Sequence, residues 1–164
     1  MISFKSHTRE DISSRISWLN NRVANLYALD DPNHIYTLEE QNKWFDNYEK
    51  DLEEGKKKFF TILNDGHSIG FMGLSHIDQI KKTAEIFILI GNDECRGKGI
   101  GKESMRYLIN YAFHVLNLNS LHLEVNKLNT PAINLFQGFG FQKTEEEKEI
   151  KMVLRAPIVV KSAV

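Results

Sequence analysis

Apolar residues in the first third of the chain recur every three or four positions, which is the period of amphipathic helices. After a short strand at residues 2–5, Thr8 can cap a helix that runs to about Tyr27. The apolar face of this helix carries Ile12, Ile16, Leu19 and Val23. A second helix begins at the capping box Thr37-Leu38-Glu39-Glu40 and ends near Gly55. Its apolar stripe carries Leu38, Phe45, Tyr48 and Leu52.

From residue 58 onward the period changes to two, which predicts strands. Residues 58–63 and 68–77 form a hairpin through the turn Asn64-Asp65-Gly66. Residues 84–90 are apolar on both faces beyond their start, as in a strand at the middle of a sheet. A glycine-rich loop and a helix over about 100–116 follow, and the inward face of that helix carries Ile100, Leu108, Ala112 and Val115.

The rest of the chain predicts a strand at 121–125, a short helix from Asn129-Thr130-Pro131 to Gly138 or Gly140, and two final strands. This order predicts one α/β (α+β) domain over residues 1–164, with a mixed, mostly antiparallel sheet. The strands on either side of the glycine loop should be parallel, and helices should cover both faces. The tail, about 156–164, is expected to be partly disordered.

Composition narrows the class of protein. The chain has 164 residues, 41% of them hydrophobic, and its 21 Lys plus Arg nearly balance its 22 Asp plus Glu. A net charge of −1 offers no general attraction for nucleic acid. A single cysteine excludes an internal disulfide and fits a reducing compartment. Without an apolar run long enough for a membrane span, the chain is expected to be cytoplasmic, with neither a nucleic-acid nor a membrane partner.

The string Arg96-Gly97-Lys98-Gly99-Ile100-Gly101 lies between a predicted buried strand and a helix N-terminus. Free backbone N–H groups and the helix dipole favour an anion such as a phosphate there. A glycine-rich connection without a ligand is the competing interpretation. The P-loop pattern fails because it needs Ser or Thr where this chain has Gly99. The dinucleotide pattern fails because it needs Gly where this chain has Lys102.

Arg96-x-x-Gly99-x-Gly101 after a buried strand resembles the pyrophosphate-binding motif of the GNAT superfamily of acetyl-CoA-dependent N-acetyltransferases. A second motif of that family is matched by the strand LHLEVN, then Asn129, Ala132-Ile133-Asn134 and Gly140-Phe141. The N-terminal strings Trp18-x-Asn20-Asn21 and Thr37-x-Glu39-Glu40-x-x-x-Trp44-Phe45 are similar to the branch of ribosomal-protein, polyamine and amino-sugar-nucleotide acetyltransferases.

The resemblance implies acetyl-CoA as the co-substrate. The six histidines show no metal-ligand spacing with one another or with the cysteine, so no metal is expected. The pyrophosphate would lie on the N–H groups of Gly97, Lys98, Gly99, Ile100, Gly101 and Lys102, next to Arg96. The pantetheine arm would pair with Ile88, Leu89 and Ile90, where the parallel strands splay apart. Asn126 and Asn129 are candidate pantetheine contacts, although Asn129 is equally suited to cap a helix.

Amine activation has one candidate base, Glu85, which could equally be a partly exposed carboxylate at a strand end. Many family members place a general-acid tyrosine where this chain has Phe136, a candidate cofactor contact without a proton to give. The leaving thiolate could then take its proton from a tyrosine of the N-terminal part, from water, or from the ammonium itself. Asn20, Asn21 and Tyr36 are candidate acceptor contacts.

The sequence therefore predicts direct acetyl transfer to a primary amine of a small molecule, first of all an amino-sugar nucleotide. Alternatives are a polyamine, for which Asp30, Asp31, Glu39 and Glu40 offer a loosely acidic pocket, and a protein N-terminus. A non-catalytic acyl-CoA-binding module is a further alternative. A homodimer is what the resemblance implies for assembly.

Overall fold

The computed structural model describes residues 1–157 and contains one seven-stranded sheet in the order β1-β2-β3-β4-β5-β7-β6. The elements in chain order are β1 (Ile2–Ser6), α1 (Ile12–Leu19), α2 (Leu38–Glu53), β2 (Lys58–Asn64), β3 (His67–Asp78), β4 (Thr83–Ile90), α3 (Ile100–Asn110), β5 (Ser120–Asn126), α4 (Thr130–Gly138), β6 (Gln142–Glu146) and β7 (Glu149–Arg155). The predicted fold class is confirmed.

The parallel strands β4 and β5 stay together for three residues only. Thr83, Ala84 and Glu85 pair with Ser120, Leu121 and His122, and beyond this point the two strands have no pairing in the described residues. On their other edges β4 remains paired with β3 as far as Ile90, and β5 with β7 as far as Asn126. The sheet therefore opens into a V whose two inner edges carry unpaired backbone groups.

Helices cover the two faces of the sheet with separate cores. α1 and α2 pack on Phe59, Phe71 and Leu89 of one face. α3 and α4 pack on the opposite face, where the larger core includes Ile62, Met72, Ile86, Leu121 and Met152. The alternation Phe71-Met72 shows the period-2 pattern of a strand that is buried on both sides.

The first helix is shorter than its hydrophobic pattern predicts. It ends at Leu19, and the expected continuation to Tyr27 is wrong, since Val23 is 90% exposed. The Asn25 side chain donates to the carbonyl oxygens of Trp18 (2.6 Å) and Leu19 (3.5 Å). These carbonyls would otherwise accept from the next helical turn, so the amide ends the helix.

Two further helical predictions need correction. α3 gives way after Asn110 to a π-helical turn, Tyr111–Val115, whose wider winding changes the helical phase and leaves Val115 exposed. In α2 the ends Leu38 and Leu52 are exposed as well, and the buried stripe is formed by Gln41, Phe45 and Tyr48.

At the C-terminus, β7 ends at Arg155 and the Ala156 N–H donates to the Asn119 carbonyl oxygen (2.7 Å). The expectation of disorder for the tail otherwise falls on residues 158–164, which lie outside the described residues. Among the helices of residues 1–157, none has the length and hydropathy needed to cross a membrane.

Candidate active site

The glycine loop leads from the end of β4 into the first turn of α3. Gly97 and Gly99 adopt φ values of +73° and +77°, a left-handed conformation that glycine adopts without strain. The N–H groups of residues 97–102 donate to no backbone acceptor within residues 1–157. Six free donors at the N-terminus of a helix suit a pyrophosphate, as the sequence predicts. Of these residues, Ile100 has its side chain buried in the core.

The Arg96 side chain makes its hydrogen bonds to backbone carbonyl oxygens of the protein itself. Its guanidinium donates to the carbonyl oxygens of Ile90 (2.7 Å) and Ala24 (3.4 Å) and lies 3.4 Å from an Asp93 carboxylate oxygen. Arg96 thus joins the loop to the end of β4 and to the α1–α2 connection, residues 20–37. These contacts hold the Arg96 guanidinium against the protein's own backbone, at the start of the predicted phosphate loop.

The opposite side of the V carries the two asparagines that sequence reasoning singles out. Asn126 Oδ1 accepts from the Leu128 N–H (2.9 Å), so its side chain stabilises the turn after β5. Asn129 caps α4 by accepting from the Ala132 N–H (3.4 Å), and its Nδ2 lies 3.5 Å from the Tyr27 carbonyl oxygen. The α1–α2 connection is therefore in contact with Asn129 on one side of the V and with Arg96 on the other.

Phe136 belongs to the core. Its ring is 7% exposed and packs against Phe141, with 5.8 Å between ring centroids. The inner edge of β4 that the pantetheine would follow, Ile88, Leu89 and Ile90, lies beyond the last β4–β5 pair. In the structure, then, Phe136 has a packing role beside the proposed donor site.

Glu85 lies at the apex of the V, in the last β4–β5 pair, opposite His122. Its carboxylate is 39% exposed and is 3.1 Å from His76 Nδ1. His76 has a φ of +48° within an irregularity of β3 between Ser75 and Asp78, and this bend accompanies the contact with Glu85. An accessible carboxylate at this point can accept a proton from an incoming ammonium.

The three candidate acceptor contacts have local partners. Asn20 exchanges two hydrogen bonds with the Tyr36 backbone, accepting from its N–H (2.8 Å) and donating to its carbonyl oxygen (3.0 Å). Asn21 Nδ2 lies 3.2 Å from both carboxylate oxygens of Asp93. These asparagines fasten the ends of the α1–α2 connection. Tyr36 is partly buried, and burial raises the pKa of its hydroxyl.

A buried polar chain lies under α1 and α2, and sequence reasoning missed it. Arg15 Nη1 lies 3.3 Å from His7 Nε2, His7 Nδ1 lies 2.7 Å from Thr61 Oγ1, and Thr61 Oγ1 donates to Asp11 Oδ2 (2.9 Å). Burial, followed by the nearby Arg15 charge, lowers the pKa of His7 to about 4. One signal was available, because Arg15 occupies the apolar face of α1, three residues after Ile12.

These features suit one class of enzyme: the V-shaped opening of the sheet, the free N–H groups and the Glu85 carboxylate. Such an enzyme binds a thioester donor by its pyrophosphate and its amide arm, and transfers the acyl group of that donor. The sequence profile of the acetyltransferase (GNAT) family matches residues 10–141. The chain belongs to this family, is an acyltransferase and uses acetyl-CoA as its co-substrate.

Known relatives agree with this class. Spermidine N(1)-acetyltransferase of Escherichia coli K12 is 29% identical over 133 residues, which is 81% of this chain and 68% of that protein. The Vibrio cholerae spermidine N(1)-acetyltransferase is 30% identical over 124 residues, 74% and 68% of the two chains.

Two solved structures share the fold. Spermidine N-acetyltransferase from Vibrio cholerae in complex with CoA and spermine superposes with a TM-score of 0.82 at 23% identity, over 94% of this chain and 95% of that one. RimL, a ribosomal L7/L12 alpha-N-protein acetyltransferase in complex with coenzyme A, gives 0.83 at 14% identity, over 94% and 93%.

Proposed function

We propose that this chain transfers the acetyl group of acetyl-CoA directly to a primary amine of a small molecule. The observation that carries the proposal is the combination of six free N–H donors at residues 97–102 with the unpaired inner edges of β4 and β5. The pyrophosphate fits the first feature. The amide-rich pantetheine fits the second, as an added strand would.

The acceptor amine approaches the thioester at the apex of the V. Its nitrogen attacks the thioester carbonyl carbon, the C–S bond breaks, and the departing thiolate takes up a proton. Glu85 receives the proton that the ammonium must lose before it can attack. A free backbone N–H on the inner edge of β4 is suited to stabilise the carbonyl oxygen as negative charge develops on it.

The missing tyrosine at position 136 leaves the thiolate to be protonated by other means. Direct transfer from the ammonium of the tetrahedral intermediate needs no further residue, because the nitrogen that attacks also carries the proton. Phe136 accordingly has no catalytic role in this reaction.

The acceptor class is tested by an assay of thiol release from acetyl-CoA with three sets of amines. Amino-sugar nucleotides are the first expectation from the sequence, polyamines are suggested by the names of the relatives, and N-terminal peptides form the third set. Turnover with an amino-sugar nucleotide or a polyamine supports the proposal and identifies the acceptor class, whereas turnover with the peptides alone would contradict a small-molecule acceptor. No turnover with any amine, by protein that binds acetyl-CoA, would contradict it.

Glu85→Gln should lower kcat by about 10²- to 10⁴-fold at neutral pH, because an amide cannot accept the ammonium proton. The matched control is Glu53→Gln, which changes an exposed carboxylate near the end of α2. Equal kcat values for Glu85→Gln and wild type would remove Glu85 from the mechanism.

A further inference from the structure

Arg15 is a buried cation without a carboxylate in contact. The side chain is 6% exposed, and no acidic group of residues 1–157 forms an ion pair with it. Its guanidinium lies between two aromatic rings, with Cζ 3.8 Å from the ring centroid of Trp44 and 4.4 Å from that of Phe71. Aromatic faces stabilise a buried guanidinium, but they leave its N–H donors without acceptors.

The guanidinium is held rigidly along two of its edges. Nε donates to Gln41 Oε1 (2.6 Å), and Nη1 lies 3.3 Å from His7 Nε2. The low pKa of His7 keeps this ring neutral, so Nε2 can accept from Arg15 while Nδ1–H donates to Thr61. Thr61 then donates to Asp11, which gives a directed chain of hydrogen bonds between the buried cation and a carboxylate on the far side. Such a supporting layer orients a binding group.

The third edge of the guanidinium is free. Nη2 makes no hydrogen bond within the described residues. In residues 1–157 the one fully enclosed side-chain polar atom without a partner is Asn25 Oδ1, so Nη2 must reach accessible space. A guanidinium fork pairs with carboxylates and with phosphates, and the aromatic rings on both of its faces favour the flat carboxylate.

The Arg15 guanidinium lies on the same face of the sheet as Glu85. Phe71, which covers one face of the guanidinium, pairs with Leu89 on β4, and its ring centroid is 5.5 Å from that of Phe87. Glu85 lies two residues before Phe87, on the same face of the strand. One small molecule could therefore present an amine to Glu85 and an anionic group to Arg15.

We propose that Arg15 is a specificity-determining residue that binds a carboxylate of the acceptor, so that the natural substrate carries both a primary amine and a carboxylate. This inference rests on the proposed acetyl transfer and narrows its acceptor class. Amines without an anionic group, polyamines included, are then poor substrates, because they leave the buried guanidinium unpaired.

The test uses acceptor pairs that differ only in the carboxylate, namely lysine with cadaverine and ornithine with putrescine. Wild-type protein should show a kcat/KM about tenfold to hundredfold higher for the carboxylated member of a pair, as expected for a charge-assisted hydrogen bond. Arg15→Gln should remove this preference by lowering kcat/KM for the amino acid alone. Arg106→Gln, on the exposed face of α3, should leave the preference unchanged.

Two outcomes would overturn the inference while acetyl transfer stands. In the first, wild-type protein uses cadaverine as well as lysine. In the second, Arg15→Gln lowers kcat/KM for both members of a pair equally, as a structural role would. The wild-type comparison does not depend on the variant folding.

A binding measurement separates this inference from the proposed function. Calorimetry of the protein saturated with CoA should show that Nε-acetyl-lysine binds more tightly than N-acetylcadaverine, and that Arg15→Gln abolishes the difference. Equal binding of the two probes, or binding of neither, would overturn the role of Arg15 even without any turnover. Absence of turnover with every amine contradicts the proposed function instead.

Discussion

The proposed donor half of the site, at the glycine loop, and the proposed acceptor half, near Arg15, use different chemical groups. Around the glycine loop, the groups proposed to bind the donor are backbone N–H groups, and the Arg96 side chain binds the protein's own backbone. In the proposed acceptor half, under α1 and α2, the groups are side chains from four separate segments: Asp11 and Arg15, His7, Gln41, and Thr61. The donor half should therefore respond to backbone geometry, and the acceptor half to the loss of individual side chains.

Among the variants that test this comparison, the largest effect is expected from Gly99→Val. A β-branched residue is strained at a φ of +77°, so the loop must change shape and the N–H groups lose their common direction. KM for acetyl-CoA should rise by about tenfold to hundredfold in steady-state kinetics. Gly138→Ala is the control, because an added Cβ there meets no atom within 4 Å and φ is not positive. An unchanged KM for Gly99→Val would break the comparison on the donor side.

The pH dependence of stability comes next. The pKa of His7 is lowered from 6.5 to about 4 in the folded protein, so the unfolded chain binds the extra proton first as the pH falls. Stability from this group is complete above pH 6.5 and is lost towards pH 4, by about 3 kcal/mol. Urea unfolding as a function of pH measures the slope.

His7→Gln should flatten that slope, whereas His67→Gln, at an exposed residue of the β2–β3 hairpin, should not. The pKa of Asp11 is also lowered, in spite of burial, by hydrogen bonds from the Thr8 N–H and from Thr61. Protonation of Asp11 therefore causes a separate loss of stability as the pH falls below about 4, the usual pKa range of an aspartate. Equal slopes for His7→Gln and wild type would mean that His7 is not buried as a neutral ring.

Thr61→Val should lower the free energy of unfolding by about 1–3 kcal/mol, because it leaves His7 and Asp11 without the hydroxyl between them. Thr144→Val on the exposed strand β6 is the matched control and should stay within about 0.5 kcal/mol of wild type. Denaturant titration measures both. Similar stabilities for the two variants would show that the buried chain does not act as a unit.

The smallest effect is expected from Phe136→Tyr. Since Phe136 packs in the core, kcat should stay within about threefold of wild type at saturating substrate, a barrier change below about 1 kcal/mol. A collapse of kcat in a folded variant would show that this position takes part in the reaction beyond packing.

The features around the glycine loop could be predicted from the sequence, whereas the end of α1 and the buried polar chain could not. The glycine loop and the strand–loop–helix order are local patterns, and their backbone consequences appear in the structure where the sequence placed them. The end of α1 was not predictable in this way, because the apolar period continues through Val23. The helix ends earlier since the Asn25 side chain donates to two carbonyls of its last turn. The buried chain needed tertiary information, since Thr61 is 50 residues away from Asp11. An arginine on an apolar helix face was the one local sign of it.

Amide hydrogen exchange with and without saturating CoA measures the backbone donors directly. Slower exchange of the amides of residues 97–102, and of those amides of residues 86–90 that face the inner edge of β4, is the result we expect, with little change in α1 and α2. Bound CoA that leaves these amides exchanging at their original rates, or that protects the N-terminal helices instead, would contradict a donor site built from the splayed strands and the glycine loop.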